Sequence, residues 1–130
     1  MPYLDPGITT LPCMYSGTFN VSLSDNFDHN LFYWFFKNTA LTNAPLVVWM
    51  NGGPGSSGLF GLFVENGPLK VKRTGPTNDD FMVYLSPEGS WNDIADVIYI
   101  DQPVGTGFSY GKTYIDRMET GAQHFTSFLS

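Results

Sequence analysis

Basic residues are scarce in this sequence of 130 residues. Lysine and arginine number six against twelve aspartates and glutamates, which gives a formal net charge of −6. Nucleic acids and anionic membrane surfaces are usually bound through clusters of basic side chains. The composition therefore argues against both as partners.

Cysteine and long apolar runs are also almost missing. Cys13 is the single cysteine, so no disulfide can form within the sequence. No apolar run reaches the roughly 18 to 20 residues that a membrane-spanning helix needs. Residues 1–7 have neither the charged start nor the apolar stretch of a signal peptide. The sequence therefore predicts no internal disulfide, no membrane span and no visible leader.

The densest chemical signal lies in residues 45–58, which read PLVVWMNGGPGSSG. Residues 46–50 are apolar and include two β-branched valines, a pattern typical of a strand that is buried on both faces in a parallel sheet. Three glycines and a proline at 52–55 then end the strand and let the backbone approach a ligand closely. A tight turn between a strand and a helix, without any ligand, would account for the same residues.

A phosphate-binding loop is one interpretation of these glycines, because residues 53–58 fit the dinucleotide pattern G-x-G-x-x-G. That pattern requires a full crossover helix and an acidic residue at the end of the next strand. Gly67 and Pro68 end the helix early, and Asp80 precedes the candidate strand at 81–85. Nucleotide binding is therefore disfavoured.

A serine nucleophile in the loop is a second interpretation, and an oxyanion hole is a third. Ser56 or Ser57 would need a base, and the two histidines, His29 and His124, carry no supporting motif. His29 is expected to be solvated at a strand edge. Bare backbone N–H groups after a buried strand suit an oxyanion hole, which α/β-hydrolases build partly from the loop after strand three.

A second glycine-serine motif lies at residues 107–111, GFSYG, which match the nucleophile-elbow pattern G-x-S-x-G. An elbow places its serine directly between a strand and a helix. Here the predicted strand, 96–100, ends well before Ser109, and a helical stripe begins only near Ile115. The spacing argues against Ser109 as a nucleophile.

Three blocks together resemble the serine carboxypeptidases, which are exopeptidases of the α/β-hydrolase superfamily. They are residues 49–57 (WMNGGPGSS), 63–69 (FVENGPL) and 101–110 (DQPVGTGFSY). The likeness runs from Leu11 onward in the order and spacing of the family. It covers only the N-terminal portion of the family's much longer domain.

The resemblance implies an α/β fold that forms the N-terminal part of an α/β-hydrolase domain. Its expected elements are an opening hairpin (15–23 and 31–36), strand three with the oxyanion loop, strand four (96–100) and the start of the following helix. Residues 1–130 would then be an incomplete domain that ends before the nucleophile elbow. The catalytic serine, aspartate and histidine would follow Ser130, so these residues alone are expected to be inactive.

The resemblance also implies a set of site residues. Recognition of the substrate's C-terminal carboxylate is expected from Trp49, Asn51, Gly52 and Glu65. The Gly53 N–H is expected to be one oxyanion donor. Phe60 and Val64 are expected to line the pocket for the residue before the scissile bond. Carboxyl groups held together share a proton, which favours work at acidic pH.

The function implied is proteolysis from the C-terminus of peptides and proteins, in a lysosome, a vacuole or a secretion. No cofactor and no metal are expected, and the oligomeric state is left open. Two alternatives remain. The first is an acyltransferase of the same fold, a class that often replaces the asparagine matching Asn51, so the presence of Asn51 favours a peptidase. The second is a truncated binding protein without catalytic activity. Asn20 begins the sequon NVS and is a glycosylation candidate if the chain is secreted.

Overall fold

A five-stranded sheet forms the centre of the protein in the computed structural model, which describes residues 3–23, 28–112 and 118–130. Residues 24–27, between the two strands of the predicted hairpin, and the predicted helical residue Ile115 lie outside the described ranges. Within those ranges the strands are β1 (Met14–Asn20), β2 (His29–Phe36), β3 (Leu46–Trp49), β4 (Leu69–Arg73), β5 (Phe81–Leu85), β6 (Asp96–Ile100) and β7 (Tyr110–Gly111).

The order of the strands in the main sheet is β1-β2-β6-β3, with β7 paired to the start of β2. β1 and β2 are antiparallel in continuous register from the Met14–Phe36 pair to the Asn20–Asn30 pair. β2 and β6 are also antiparallel, whereas β3 and β6 run parallel. Strands and helices are therefore mixed in one layered fold, and the predicted α/β class is confirmed.

β6 lies inside the sheet, and the two faces of that sheet carry two apolar clusters. Val97 and Tyr99 point into the first cluster with Phe36 and Leu62, while Ile98 and Ile100 contact the second. A strand buried on both faces needs apolar residues at nearly every position. The run DVIYI meets that need, which is why this strand is visible in the sequence.

β3 behaves differently from the prediction. Among the described residues it pairs only with β6, so it lies at the edge of the sheet, and Leu46 is 62% exposed. Val47 and Val48 are half-buried and contact opposite clusters. The expectation that the whole run is buried on both faces is therefore wrong at Leu46.

The chain between the glycine loop and β4 is helical, as predicted, but it is not a regular α-helix. Helix α1 (Gly58–Phe60) makes one turn and continues directly into a π-helical segment, Gly61–Glu65. Ser57 caps α1 by accepting a hydrogen bond from the Leu59 N–H at 3.1 Å. The wider π turn shifts the register of the side chains that follow it.

β4 and β5 form a hairpin, and β4 is not among the strands that the sequence predicts. β4 pairs with β5 from Leu69–Leu85 to Arg73–Phe81. Only Leu69 of this strand is buried in the core. The sequence therefore shows no apolar pattern typical of a strand at the charged residues Lys70, Lys72 and Arg73.

Helix α2 (Met118–Leu129) packs against the second cluster through Phe125 and Phe128. A short 3₁₀ turn, Trp91–Asp93, precedes β6. None of the helices in the described ranges combines the length and apolar character needed to cross a membrane.

Candidate active site

The glycine loop and the loop after β6 leave the sheet side by side. Trp49 and Tyr99 pair near the ends of the parallel strands β3 and β6. Asn51 and Asp101 each lie two residues after this pair, at the same carboxyl edge. In open α/β sheets ligands bind outside the carboxyl ends of neighbouring strands. A ligand site is therefore expected at this edge of the sheet.

Asn51 is held from two directions through its side-chain oxygen. The Trp49 indole Nε1 donates to Asn51 Oδ1 at 3.0 Å, and the Gly61 backbone N–H donates to the same oxygen at 3.0 Å. An amide oxygen has two acceptor positions, and both are used here. The side chain is therefore fixed with its NH₂ group turned away from Trp49 and Gly61.

The Asn51 NH₂ group meets Glu65. Nδ2 donates to Glu65 Oε1 at 2.8 Å, and Glu65 is the last residue of the π-helical segment. An amide nitrogen carries two hydrogens, so one donor remains within reach of a ligand. Glu65 is exposed, which leaves its carboxyl group open to the same ligand.

Lys70 is the basic residue nearest to this pair among the contacts described. Its Nζ donates to the Glu65 backbone carbonyl at 2.7 Å. Burial lowers the pKa of Lys70, and the negative charge of Glu65 partly opposes that change. The site thus combines a neutral donor, an acid and a nearby ammonium group.

Gly61 was not identified as a site residue from the sequence. Its Cβ-free backbone lies so close to the site that an added methyl group would overlap Trp49 Nε1 and sit 2.9 Å from Asn51 Oδ1. The available signal was a glycine inside a helical run, where glycine is unfavourable unless packing requires it.

Trp49 has a packing partner as well as a hydrogen-bonding role. Its ring meets the ring of Trp91 edge to face, with centroids 5.2 Å apart and planes at 87°. Edge-to-face packing is a favourable arrangement for aromatic rings. Trp91 was not predicted to contribute, since it lies outside the three sequence blocks.

The predicted oxyanion loop exposes its backbone. Gly52 and Gly53 are exposed, and neither N–H donates a hydrogen bond to another described residue. Gly53 has φ +143° and Gly55 has φ +101°, conformations that residues with a Cβ rarely adopt. The loop therefore presents unpaired donors to whatever anion approaches it.

Phe60 and Val64, the predicted pocket residues, lie on α1 and the π-helical segment. Their exposed fractions are 52% and 61%, which are high for large apolar side chains. Glu65 follows Val64 directly. Phe60 directly precedes Gly61, whose N–H donates to Asn51, so both exposed apolar side chains belong to the helical stretch that carries Glu65.

Ser109 and Ser57 are engaged inside the fold. Ser109 is buried, donates from Oγ to the Asp101 carbonyl at 2.5 Å and accepts from the Phe32 N–H at 2.7 Å. This environment agrees with the prediction that Ser109 is not a nucleophile. The Ser57 hydroxyl donates to Asp101 Oδ1, a contact that the sequence did not suggest.

The expectation that His29 is solvated is wrong. His29 in β2 is buried, and its Nδ1 lies 3.1 Å from Nε2 of the buried His124 in α2. Burial, followed by the charge of His29, lowers the pKa of His124. The pair joins the sheet to α2 on the face that carries the second apolar cluster.

Asn20 is exposed at the end of β1. Its Oδ1 accepts from the Ser22 N–H at 3.1 Å, and its Nδ2 donates to Asp28 at 3.4 Å. The described ranges contain no group of three or more His, Cys, Asp or Glu residues placed to hold a metal ion.

Comparison with known proteins places this geometry in context. Residues 6–130 match the family model described as serine carboxypeptidase. The chain is 38% identical over 136 residues to the pheromone-processing carboxypeptidase KEX1 of Ogataea parapolymorpha, covering 95% of this chain and 21% of that protein. The KEX1 proteins of Coccidioides posadasii and Zygosaccharomyces rouxii are 41% and 38% identical and cover 89% and 98% of this chain. The chain covers 17% and 20% of those two proteins, so it spans about a fifth of the length of these relatives.

Proposed function

Since the chain belongs to the serine carboxypeptidase family, we propose that residues 49–65 form the site where such an enzyme recognises the C-terminal carboxylate of its peptide substrate. The observation that carries this proposal is the bond from Asn51 Nδ2 to Glu65 Oε1 beside the unpaired Gly52 N–H. The enzyme would be a serine-type carboxypeptidase that acts on the C-termini of peptides and proteins.

The fold is consistent with the first part of an α/β-hydrolase domain. In this assignment β1 and β2 are the opening hairpin, β3 is the third strand with its oxyanion loop, and β6 is the fourth. Helix α2 is the start of the helix that follows. Residues 1–130 are then part of a larger hydrolase domain.

The substrate carboxylate accepts hydrogen bonds from the remaining Asn51 Nδ2–H and from the Gly52 N–H. It also approaches Glu65, and two carboxyl groups can share this site only when one of them holds a proton. That requirement makes binding strongest at acidic pH. Trp49 acts by orienting Asn51 through the 3.0 Å bond to Oδ1.

The reacting carbonyl belongs to the substrate residue that precedes the C-terminal one. The Gly53 N–H donates to the oxyanion that forms there, and Phe60 and Val64 contact the side chain before the scissile bond. The serine, histidine and aspartate of the triad are not among these 130 residues, so the chain by itself hydrolyses nothing. Ser57 and Ser109, which are both bonded to Asp101, support that proposal.

A lysosomal, vacuolar or secreted destination also belongs to the proposal. Asn20 is exposed at a strand end, where a glycosylating enzyme has access to it. Loss of the attached glycan on Asn20→Gln in the natural protein is the expected result.

The test uses the protein that the complete gene encodes, with an N-acylated Phe-Leu dipeptide as substrate. Release of free leucine from the C-terminus is expected, and the 130-residue chain alone should release none. Cleavage within longer peptides would contradict the proposal. Acyl transfer to an alcohol without hydrolysis would favour an acyltransferase, and binding without turnover would favour an inert binding protein.

A further inference from the structure

Asp101 carries a completely buried carboxylate at the end of β6. Its Oδ1 accepts from the Ser57 hydroxyl at 2.5 Å, and its Oδ2 accepts from the Phe108 N–H at 2.8 Å. No lysine or arginine in the described ranges forms an ion pair with it. A buried carboxylate is costly unless hydrogen bonds compensate it, so these two donors are essential to its placement.

The two donors belong to different loops. Ser57 ends the glycine loop that contains Gly53, and Phe108 belongs to the loop that follows β6. Ser57 Oγ also accepts from the Leu59 N–H at 3.1 Å and so caps the helix that leads to Glu65. One carboxylate therefore fixes the glycine loop, the start of α1 and the neighbouring loop together.

The backbone around Asp101 is shaped to allow this contact. Gly107 has φ +55°, and a Cβ there would overlap the Asp101 carboxylate. A Cβ on Gly58 would overlap the Ile100 carbonyl. Both loops thus approach the end of β6 more closely than residues with side chains would permit.

Asp101 itself is anchored to the sheet. Its N–H donates to the Phe32 carbonyl at 3.0 Å, and its carbonyl accepts from the Ser109 hydroxyl. The same hydroxyl accepts from the Phe32 N–H. The carboxylate is consequently a rigid reference point relative to β2, and the glycine loop is fastened to that point through Ser57.

We infer that Asp101 is a positioning residue that holds the Gly53 loop in one conformation through Ser57. It touches no reacting atom. Its effect on rate rests on the proposed function, in which the Gly53 N–H stabilises an oxyanion. A loop released from Asp101 would misplace that donor, and such misplacement reduces turnover even when binding is intact.

The variant that tests this inference is Ser57→Ala, with Ser90→Ala as its matched control. Ser90 is buried and caps the turn Trp91–Asp93 by accepting from the Asn92 N–H, also at 3.1 Å. Both variants therefore lose a cap of the same kind, but only Ser57→Ala loses the bond to Asp101. Ser57→Thr restores a hydroxyl, and Ser57→Cys replaces Ser57→Ala if the latter does not fold, because a thiol is a weak donor.

The first readout is amide hydrogen exchange in the complete protein, which requires no activity. Exchange should be at least about tenfold faster in Ser57→Ala at Phe60, whose N–H donates to the Ser57 carbonyl, and at Phe108, whose N–H donates to Asp101, since a local opening exposes both amides. It should be unchanged in Ser90→Ala and restored in Ser57→Thr. Unchanged exchange in Ser57→Ala would overturn the inference.

The second readout is a split between kcat and KM. Ser57→Ala should lower kcat by roughly 10- to 100-fold on peptides and on esters alike, with KM within about twofold, since an oxyanion forms from both substrates. An unchanged kcat, or a loss confined to substrates with a free carboxylate, would overturn the positioning role. A complete protein that hydrolyses nothing would instead refute the proposed function, and the exchange comparison would still decide the role of Asp101.

Discussion

Asn51 Nδ2 donates to Glu65 Oε1 at 2.8 Å, which joins the glycine loop to the end of the π-helical segment fourteen residues later. The opposite side of the Asn51 amide is occupied by Trp49 and Gly61. The amide cannot rotate without breaking three hydrogen bonds. A ligand therefore meets a donor and an acid whose separation is fixed before it arrives.

Glu65→Gln should weaken the pH dependence of activity on peptides with a free carboxylate. Two carboxyl groups need one shared proton, whereas a glutamine needs none. The kcat/KM of the unmodified enzyme should fall by up to about tenfold per pH unit as that proton is lost, and the variant should stay within about twofold. The measurement is the pH profile of kcat/KM on a peptide and on an ester.

Glu88→Gln is the matched control, because Glu88 is exposed and lies outside the site. Its profile should follow that of the unmodified enzyme. Coincident profiles for Glu65→Gln and the unmodified enzyme would remove Glu65 from the proposed carboxylate site.

Gly61→Ala should damage both stability and activity. The added methyl group would overlap the Trp49 indole nitrogen, so Trp49 and Asn51 must shift. Overpacking of this kind lowers the free energy of unfolding by about 1–3 kcal/mol. Denaturant unfolding and kcat/KM on a free-carboxylate peptide are the measurements.

Gly17→Ala serves as the comparison for that variant, since its Cβ would lie 3.4 Å from the Tyr33 hydroxyl in an ordinary contact. Its free energy of unfolding should change by less than about 0.5 kcal/mol. A Gly61→Ala protein that matches Gly17→Ala in stability and activity would contradict the tight packing described at the site.

His124 should make the protein less stable at acidic pH. Burial and the nearby His29 lower the pKa of His124 from its usual 6.5, so the folded state favours the neutral ring. The unfolded chain then binds the proton first as the pH falls. The stabilising contribution is complete above about pH 6.5 and is lost below it, with a slope of at most about 1.4 kcal/mol per pH unit for one proton.

The measurement is the free energy of unfolding as a function of pH for the unmodified protein and for His124→Gln. The variant should show the shallower decline below pH 6.5, the usual value for the ring. Equal slopes would mean that His124 takes up its proton equally well in the folded and unfolded states.

Much of this fold was predictable because single stretches encode it. The run DVIYI has one apolar residue after another, and β6 lies between two neighbours in the sheet. β4 was missed because Lys70, Lys72 and Arg73 leave only Leu69 buried. The exposure of Leu46 was not predicted, because an apolar run does not indicate whether its strand lies at the centre or at the edge of a sheet.

The site divides in the same way. Asn51, Glu65 and Trp49 were selected by family resemblance, and the structure brings the three together. Contacts between distant residues were not predictable from local patterns. The His29–His124 contact spans 95 residues and the Ser57–Asp101 contact spans 44. Neither separation matches the period of a helix or of a strand, so local sequence patterns indicate neither contact.

The substrate preference of Asn51→Ala tests the central claim most directly. The measurement is kcat/KM on a peptide with a free C-terminal carboxylate and on an ester that lacks one, with the exposed Asn78→Ala as control. Losing a hydrogen bond to a charged group costs about 1.5–3 kcal/mol, so the ratio of peptide to ester activity should fall by roughly 10- to 150-fold. An equal loss on both substrates, or none on either, would contradict the assignment of Asn51 to the substrate carboxylate.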